Sequence, residues 1–207
     1  DWTVNTTYIP HLLERMEKDP QRLAKKLQRT DTWGKEGQPM KFDAIVGNPP
    51  YQEMDGGNNA SAVPLYQLFM EQAILVEPHY ISMIMPARWY SGGRGLDKFR
   101  SEMLNDERLC KMMDFSDSND CFPGVDIAGG VCYFLWDKSA HGECKVISVH
   151  NGKQSISERK LNEYDTFIRF KEAISIIKKI QLRESKFYSE RVSSQKPFGL
   201  RTYVKPT

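Results

Sequence analysis

A short apolar run, cut off by an amide and two prolines, most constrains what this chain can fold into. Phe42-Asp43-Ala44-Ile45-Val46-Gly47 has the length and residue types of a buried parallel strand, and Asn48-Pro49-Pro50-Tyr51 follows at once. Proline brings no N–H to a strand ladder, so the strand stops there. In open α/β sheets, ligands bind outside the carboxyl ends of the strands. Each part of the tetrapeptide suits that place. The Asn48 amide can accept a hydrogen bond from an amino group and donate one elsewhere. The prolines remove N–H donors, so nearby carbonyls can face a substrate without local competition. The Tyr51 ring offers a flat face for a planar base.

The rest of the chain is consistent with a strand of this kind inside one domain with appendages. The 207 residues are 40% hydrophobic, enough for a sizeable core, and the net charge of +2 advertises no global basic field for nucleic acid. A DNA-binding surface is therefore local, or lies on another part of the protein. No apolar run is long enough to span a bilayer, no signal peptide is visible, and no membrane partner is expected. Cys110, Cys121, Cys132 and Cys144 show no paired metal-ligand spacing, and His11, His79, His141 and His150 are scattered, so no metal site is expected. Cys110 and Cys132 read as small core residues. A reducing cytoplasm is the expected compartment.

Along the chain, apolar spacing predicts helix before the strand, with Asp19-Pro20 as a helix start. Lys25, Lys26 and Arg29 read as a solvated face before they read as a DNA patch. Residues 52–62 are polar and Gly/Asn-rich and predict a mobile loop. Pro64 is expected to open a helix over 64–76, and Tyr80–Met85 to form a second buried strand. A Gly-rich loop over 87–95, a helix over 96–105 and a strand over 109–115 follow. The acidic run Asp114, Asp117 and Asp120 reads as a solvated loop, with metal ligation the lesser alternative. A strand over 130–136 is expected, with Lys145–Val149 as its hairpin partner, and an amphipathic helix over 165–183 carries Ile168, Ala173, Ile176, Ile177 and Ile180 along one side. The polar stretch 184–207 has the look of a domain boundary.

The order of these features is specific. Strand, Asn-Pro-Pro-Tyr, Leu65-Tyr66-x-x-Phe69 helix, strand ending in Pro86-Ala87-Arg88-Trp89, Gly-rich loop, helix, strand, Phe122-Pro123-Gly124 and Gly129-Gly130-Val131-x-Tyr133-Phe134 follow in sequence. This resembles the second half of the catalytic domain of adenine-specific DNA methyltransferases, and more narrowly the type IIG restriction–modification methylases. The resemblance covers residues 40–140 well and 141–207 loosely. It implies an α/β fold: a Rossmann-like sheet, mostly parallel with one antiparallel strand, with helices on both faces, of which this chain holds strands four to seven. Three segments are expected: a helical pre-motif segment 1–39, the C-terminal half of the catalytic domain at 40–150, and a helical extension 151–207 leading toward a target-recognition domain. With no Met at its start and no glycine-rich strand–turn–helix before the motif, the chain reads as a piece of a longer protein, lacking the N-terminal half of the domain and the target-recognition domain.

The implied chemistry is methyl transfer from S-adenosyl-L-methionine to the exocyclic amino group of an adenine flipped out of double-stranded DNA, in a bacterial cytoplasm. By the resemblance, the Asn48 side chain and the Pro49 carbonyl hold the amine, and Tyr51 stacks on the base. Phe134 packs on the base from another side, with Tyr133 as the fallback; both read equally as core strand aromatics. Pro50 and Phe69 match positions that touch the cofactor adenine, although Phe69 reads equally as a core aromatic of its helix. Arg88, Arg94, Gly92 and Gly93 are candidates for contact with the DNA backbone, or for a long turn capping a helix. Two other readings stay open: the same motif methylates glutamine side chains or RNA bases in related enzymes, and the chain alone could be an inactive scaffold. The first strand's unpaired edge is expected either to self-associate or to be covered by 1–39.

Overall fold

The computed structural model describes residues 9–33, 40–53, 63–93 and 95–183. It divides into a compact unit that runs to Arg169 and a second from Phe170 onward. In the first unit the chain forms helices α1 (Leu12–Lys18) and α2 (Pro20–Leu27), strands β1 (Ala44–Gly47), β2 (Gln52–Glu53) and β3 (Val63–Pro64), then helix α3 (Tyr66–Leu75). Strand β4 (Tyr80–Pro86), helix α4 (Asp97–Asn105), and strands β5 (Leu109–Phe115), β6 (Val131–Asp137), β7 (Cys144–His150) and β8 (Lys153–Arg159) complete it. The described part of the second unit is helix α5 (Lys171–Arg183).

Six strands form one sheet in the order β1-β4-β6-β5-β7-β8. β1, β4, β5 and β7 run one way, and β6 and β8 run the other. The expected antiparallel strand is therefore β6, and β8 is a second. The 144–150 strand is not a hairpin partner of β6: it lies parallel to β5, with Met112 opposite Val146, and its hairpin partner is β8. Asn151 and Gly152, both with positive φ, make that two-residue turn. The sheet thus continues past residue 150, and the segment up to Arg169 stays with it.

One face of the sheet carries the main core. Ile81, Met83 and Met85 of β4 lie opposite Trp136, Phe134 and Cys132 of β6. They pack with Met112 and Val146, with Tyr66, Met70 and Ala73 of α3, and with Phe99, Met103 and Leu104 of α4. Each such buried side chain contributes roughly 1.5–3 kcal/mol. Among the described residues both of these helices join this one cluster, where helices on both faces were expected. The opposite face bears a smaller cluster of Phe115, Val131 and Val149 with Met113, Cys121, Phe122 and Ile127.

The segment before β1 folds as its caps dictate. Pro20 is the first residue of α2, and the Asp19 side chain accepts from the Arg22 N–H at 3.3 Å. The Gln28 side chain donates to the Val76 carbonyl and the Gln72 side chain donates to the Pro20 carbonyl, so the pair α1–α2 packs on α3. Among the described residues β1 pairs with β4 alone, so its other edge is unpaired as expected, while Val46, at 77% exposed, departs from the buried strand that the apolar run predicts. Pro64 does not open a helix. It ends β3, which pairs with β2, and α3 starts two residues later. The 87–95 stretch is not all loop: Ala87–Tyr90 form a 3-10 turn that buries Trp89 and Tyr90. The last helix begins at Lys171, so Ile168 precedes it.

Asp114 departs furthest from the solvated loop expected of it. It is fully buried on the core face of β5, beside Cys132, and its Oδ2 lies 2.9 Å from Arg169 Nε. Arg169 also covers the Tyr90 ring and donates to the Gly129 carbonyl at 2.8 Å. Nearby, Arg159 covers the Phe167 ring and donates to the Ile168 carbonyl. Burial pushes the Asp114 carboxyl up to about 6, against the downward pull of Arg169. Asp117 and Asp120 are exposed, as expected.

Two stability predictions follow from this packing. Arg169→Ala leaves the Asp114 charge buried without its partner, and is expected to cost about 3–5 kcal/mol at pH 7.5 in urea unfolding. A carboxyl whose pKa is higher in the fold than in the unfolded chain adds stability in acid, and that stability is lost as the pH rises through the folded value. Losing Arg169 raises the folded value above about 6. The variant's deficit against wild type therefore shrinks at pH 5; a deficit equal at both pH values would exclude the ion pair as its cause. The second concerns Gly130, at φ +79°, where an added Cβ would lie 2.0 Å from the Phe115 carbonyl oxygen. Gly130→Ala is expected to cost more than the roughly 1–2 kcal/mol of a left-handed alanine alone, read by the same unfolding experiment.

Candidate active site

Strand direction gathers the candidate residues at one edge. β1 and β4 are parallel, so Asn48, just past the Gly47–Met83 pair, leaves the sheet at the same end as β4, which runs three residues further to Pro86. β6 is antiparallel, so its first residue, Val131, lies opposite both Pro86 and Phe115. The carboxyl ends of β1, β4 and β5 and the loop that feeds β6 thus share one rim. The Asn48–Tyr51 segment is fixed there by backbone contacts. The Tyr51 carbonyl accepts from the Leu65 N–H at 3.2 Å, and Gln52 pairs with Pro64. The predicted loop over 52–62 thus begins in a strand, Gln52–Glu53, that pairs with the Val63–Pro64 strand just beyond it, and residues 54–62 lie outside the described ones.

A cavity of about 280 Å³ opens at this rim, lined by Tyr51, Gln52, Pro64, Tyr66, Pro86, Arg88, Asp126, Ile127 and Ala128. Tyr51 is half-buried, and burial raises its hydroxyl pKa. Tyr66 is 2% exposed, and burial raises its hydroxyl well above the usual tyrosine value, with Arg88 pulling weakly the other way. Both phenols are therefore neutral donors at physiological pH. The side chains can offer a planar ligand aromatic faces, hydroxyl donors and one cation.

The candidates named from the sequence divide around this cavity. Tyr51 and Arg88 line it together. Asn48 is exposed, Pro49 buried and Pro50 exposed at the end of β1, and none of the three is among the residues lining the cavity. Phe69 is half-buried on α3, three residues beyond Tyr66. Phe134 is 2% exposed within the main core, its ring packed away from solvent, and Tyr133 points to the opposite face beside Phe115, at 5.8 Å between ring centroids. Gly92 and Gly93 act in the turn before α4: the Gly92 N–H donates to the Arg88 carbonyl, and Gly93, at φ +93°, leaves room for Leu96. Arg94 lies outside the described residues. Among the described residues no group of three or more His, Cys, Asp and Glu side chains is placed to hold a metal ion, and no helix is long and apolar enough to cross a membrane.

Residues 126–128 and Tyr66 were not singled out from the sequence. The signal for the first was the Phe122-Pro123-Gly124 punctuation before the Gly-Gly pair, which marks a turn that must deliver the chain to β6. The Ser118 hydroxyl holds that turn, donating to the Val125 carbonyl and accepting from the Ile127 N–H.

The family model of the Eco57I restriction-modification methylases matches residues 1–122. A protein of Mycoplasma pneumoniae described as an uncharacterized adenine-specific methylase is 35% identical over 134 residues; the match spans 62% of this chain but only 31% of that protein. Among solved structures, the methyltransferase subunit of a type I restriction-modification system from Streptococcus thermophilus aligns over 83% of this chain and 36% of its own, at 13% identity and a TM-score of 0.40. The type IIG restriction endonuclease BpuSI aligns over 58% of this chain and 19% of its own, at 15% identity and a TM-score of 0.43. With more than half of its length matched by the family model, the chain belongs to the Eco57I restriction-modification methylase family.

Proposed function

We propose that this chain forms the base-facing side of an adenine-specific DNA methyltransferase of the restriction–modification type, with S-adenosyl-L-methionine as the methyl donor. The observation that carries the reading is that Tyr51 passes from the end of β1 directly into a cavity shared with Tyr66 and Arg88. A base within a duplex cannot reach such a cavity, so the target adenine is turned out of the helix to enter it. Tyr51 stacks on its face, and Arg88, the exposed cation of the lining, meets phosphate.

The chemistry asked of Asn48 and Pro49 is modest. An adenine amino nitrogen is a poor nucleophile because its lone pair is drawn into the ring. Hydrogen bonds from its two protons to the Asn48 side-chain oxygen and the Pro49 carbonyl favour the tetrahedral geometry in which that lone pair is available. What remains is positioning. When bound, the cofactor supplies an electrophilic methyl group. Pro50 and Phe69 give its adenine an apolar surface, but neither offers a polar group to its ribose or its charged ends. The described residues thus do not make a whole cofactor site, and this chain's own part in the reaction is to hold the amine.

The test is methyl transfer to duplex DNA by the natural polypeptide that carries these residues. Asn48→Ala is expected to lower the rate on the order of 10²–10³-fold with cofactor affinity nearly unchanged; near-normal turnover would refute the assignment. Tyr51→Ala is expected to weaken binding of DNA with a flipped or mispaired target base by about 1–3 kcal/mol. Tyr51→Phe should cost little, because the ring face makes the contact. An equal loss in both variants would mean that the hydroxyl, not stacking, matters.

A further inference from the structure

One residue lining the cavity carries a buried polar group that has no partner among the described residues. Tyr66 sits in the first turn of α3, 2% exposed, with its ring edge-on to Phe99 at 6.2 Å between centroids. Among the described residues its Oη is buried without a hydrogen-bond partner. An unpaired buried hydroxyl is destabilising, and buried polar groups are as a rule satisfied. Trp89 Nε1 and Gln72 Oε1 are also unpaired, but Tyr66 alone of the three belongs to a residue lining the cavity. Because burial keeps the phenol protonated, it can give a proton to a ligand acceptor across the working pH range. The ring is packed on Phe99 and the hydroxyl adds nothing to that packing, so the fold gives no reason for the oxygen to be there.

We propose that Tyr66 Oη donates a hydrogen bond to a ring nitrogen of the adenine that this cavity receives, making Tyr66 a specificity-determining residue. The proposal rests on the reading of the cavity as the base pocket. A ring nitrogen beside the amino-bearing carbon is the fitting acceptor, because Asn48 and Pro49 would hold the amino group from the same rim. On the base-pairing edge, adenine presents a bare nitrogen where guanine and hypoxanthine carry an N–H. A fixed donor aimed there favours adenine and opposes the other two, since two donors facing each other leave both unpaired.

The experiment measures, by calorimetry, binding of adenosine and of 1-deaza-, 3-deaza- and 7-deazaadenosine, each lacking one ring nitrogen, to the wild-type protein, Tyr66→Phe and Tyr51→Ala. The expected result is about a tenfold loss of adenosine affinity in Tyr66→Phe, the worth of one hydrogen bond to a buried group. 1-Deazaadenosine is expected to show the same loss on wild type and no further loss on Tyr66→Phe, and a loss confined to 3-deaza- or 7-deazaadenosine overturns the assignment. Unchanged adenosine affinity in Tyr66→Phe, or an equal loss for all four nucleosides, overturns the assignment. If Tyr66→Phe melts early, the wild-type series decides alone: equal affinity for all four overturns it. Binding lost in Tyr51→Ala but indifferent to Tyr66 and to every deaza change defeats only this inference, whereas a wild-type protein that binds none of the nucleosides defeats the base-pocket reading as well.

Discussion

The reversal of β6 between β4 and β5 is the constraint on which the rest of the structure depends. Had β6 run parallel to its neighbours, the loop that feeds it would open at the opposite end of the sheet. Because it is antiparallel, residues 116–130 are delivered to the carboxyl ends of β4 and β5, where Val131 meets Pro86 and Phe115. That places Ile127 and Ala128 across the cavity from Tyr51 without any further device. The reversal also demands a tight approach. Gly130 passes so close to the Phe115 carbonyl that no side chain fits, and its own carbonyl accepts from the Ala87 N–H at 3.0 Å. The pocket wall is thus held by backbone at three strand ends, and the Ser118 and Arg169 side chains tie down the loop between them.

The sequence showed this architecture where one physical signal dominated. Residues 80–85 and 109–115 form strands close to where their apolar runs predict, because their neighbours in the sheet bury them. Asp19-Pro20 marks a helix start because cap and φ restriction act locally. Where two signals compete, the reading slipped. Pro64 suits a helix start and an edge-strand end equally, and the ladder with Gln52 decided for the strand, a contact between residues 12 apart that no local pattern encodes. Strand 144–150 was legible, but its partner was not. A short connection from β6 suggested a hairpin, whereas β5 had a free edge and β8 took the hairpin role. Parity was the finer failure. Phe134 and Tyr133 are adjacent, so they face opposite sides of the sheet, and only the pairing of β6 with β4 shows that Phe134 faces the main core.

The polar groups that matter most were the least legible. Asp114 stands next to a run of polar residues that includes Asp117 and Asp120, and composition alone makes all three solvent-facing. Its partner is Arg169, 55 positions later in a segment without strong periodicity. An ion pair across such a distance appears only once the sheet exists. Its effect is also remote from both residues. By gripping the Gly129 carbonyl and covering Tyr90, Arg169 ties the end of the unit to the loop that lines the cavity. A residue at the unit's boundary therefore bears on the pocket through the same backbone that Gly130 shapes. Tyr66 was hidden for the opposite reason: an aromatic at the start of an amphipathic helix is ordinarily core, and only its unpaired hydroxyl separates it from Met70 and Ala73 on the same side.

These features bear on how the site can work. In the proposed reading its recognition groups are the Asn48 amide, the Pro49 carbonyl and two phenols, with Arg88 left for phosphate, and burial raises the pKa of both phenols. None of them changes charge between mildly acid and mildly alkaline conditions, so their hydrogen bonds keep their direction. Such a site suits a substrate that is itself neutral, whose recognition is a matter of placing donors against acceptors. Acid–base chemistry would ask for the reverse: a pair of titratable groups whose environments push their pKa values apart. The buried group closest to that behaviour is Asp114, which lies on β5 with Arg169 against it and is not among the residues lining the cavity. The titration of Asp114 is thus tied to the attachment of a loop, and Asp114 is not among the residues that line the cavity. That division agrees with a transfer to an amino group that needs orientation before it needs a base.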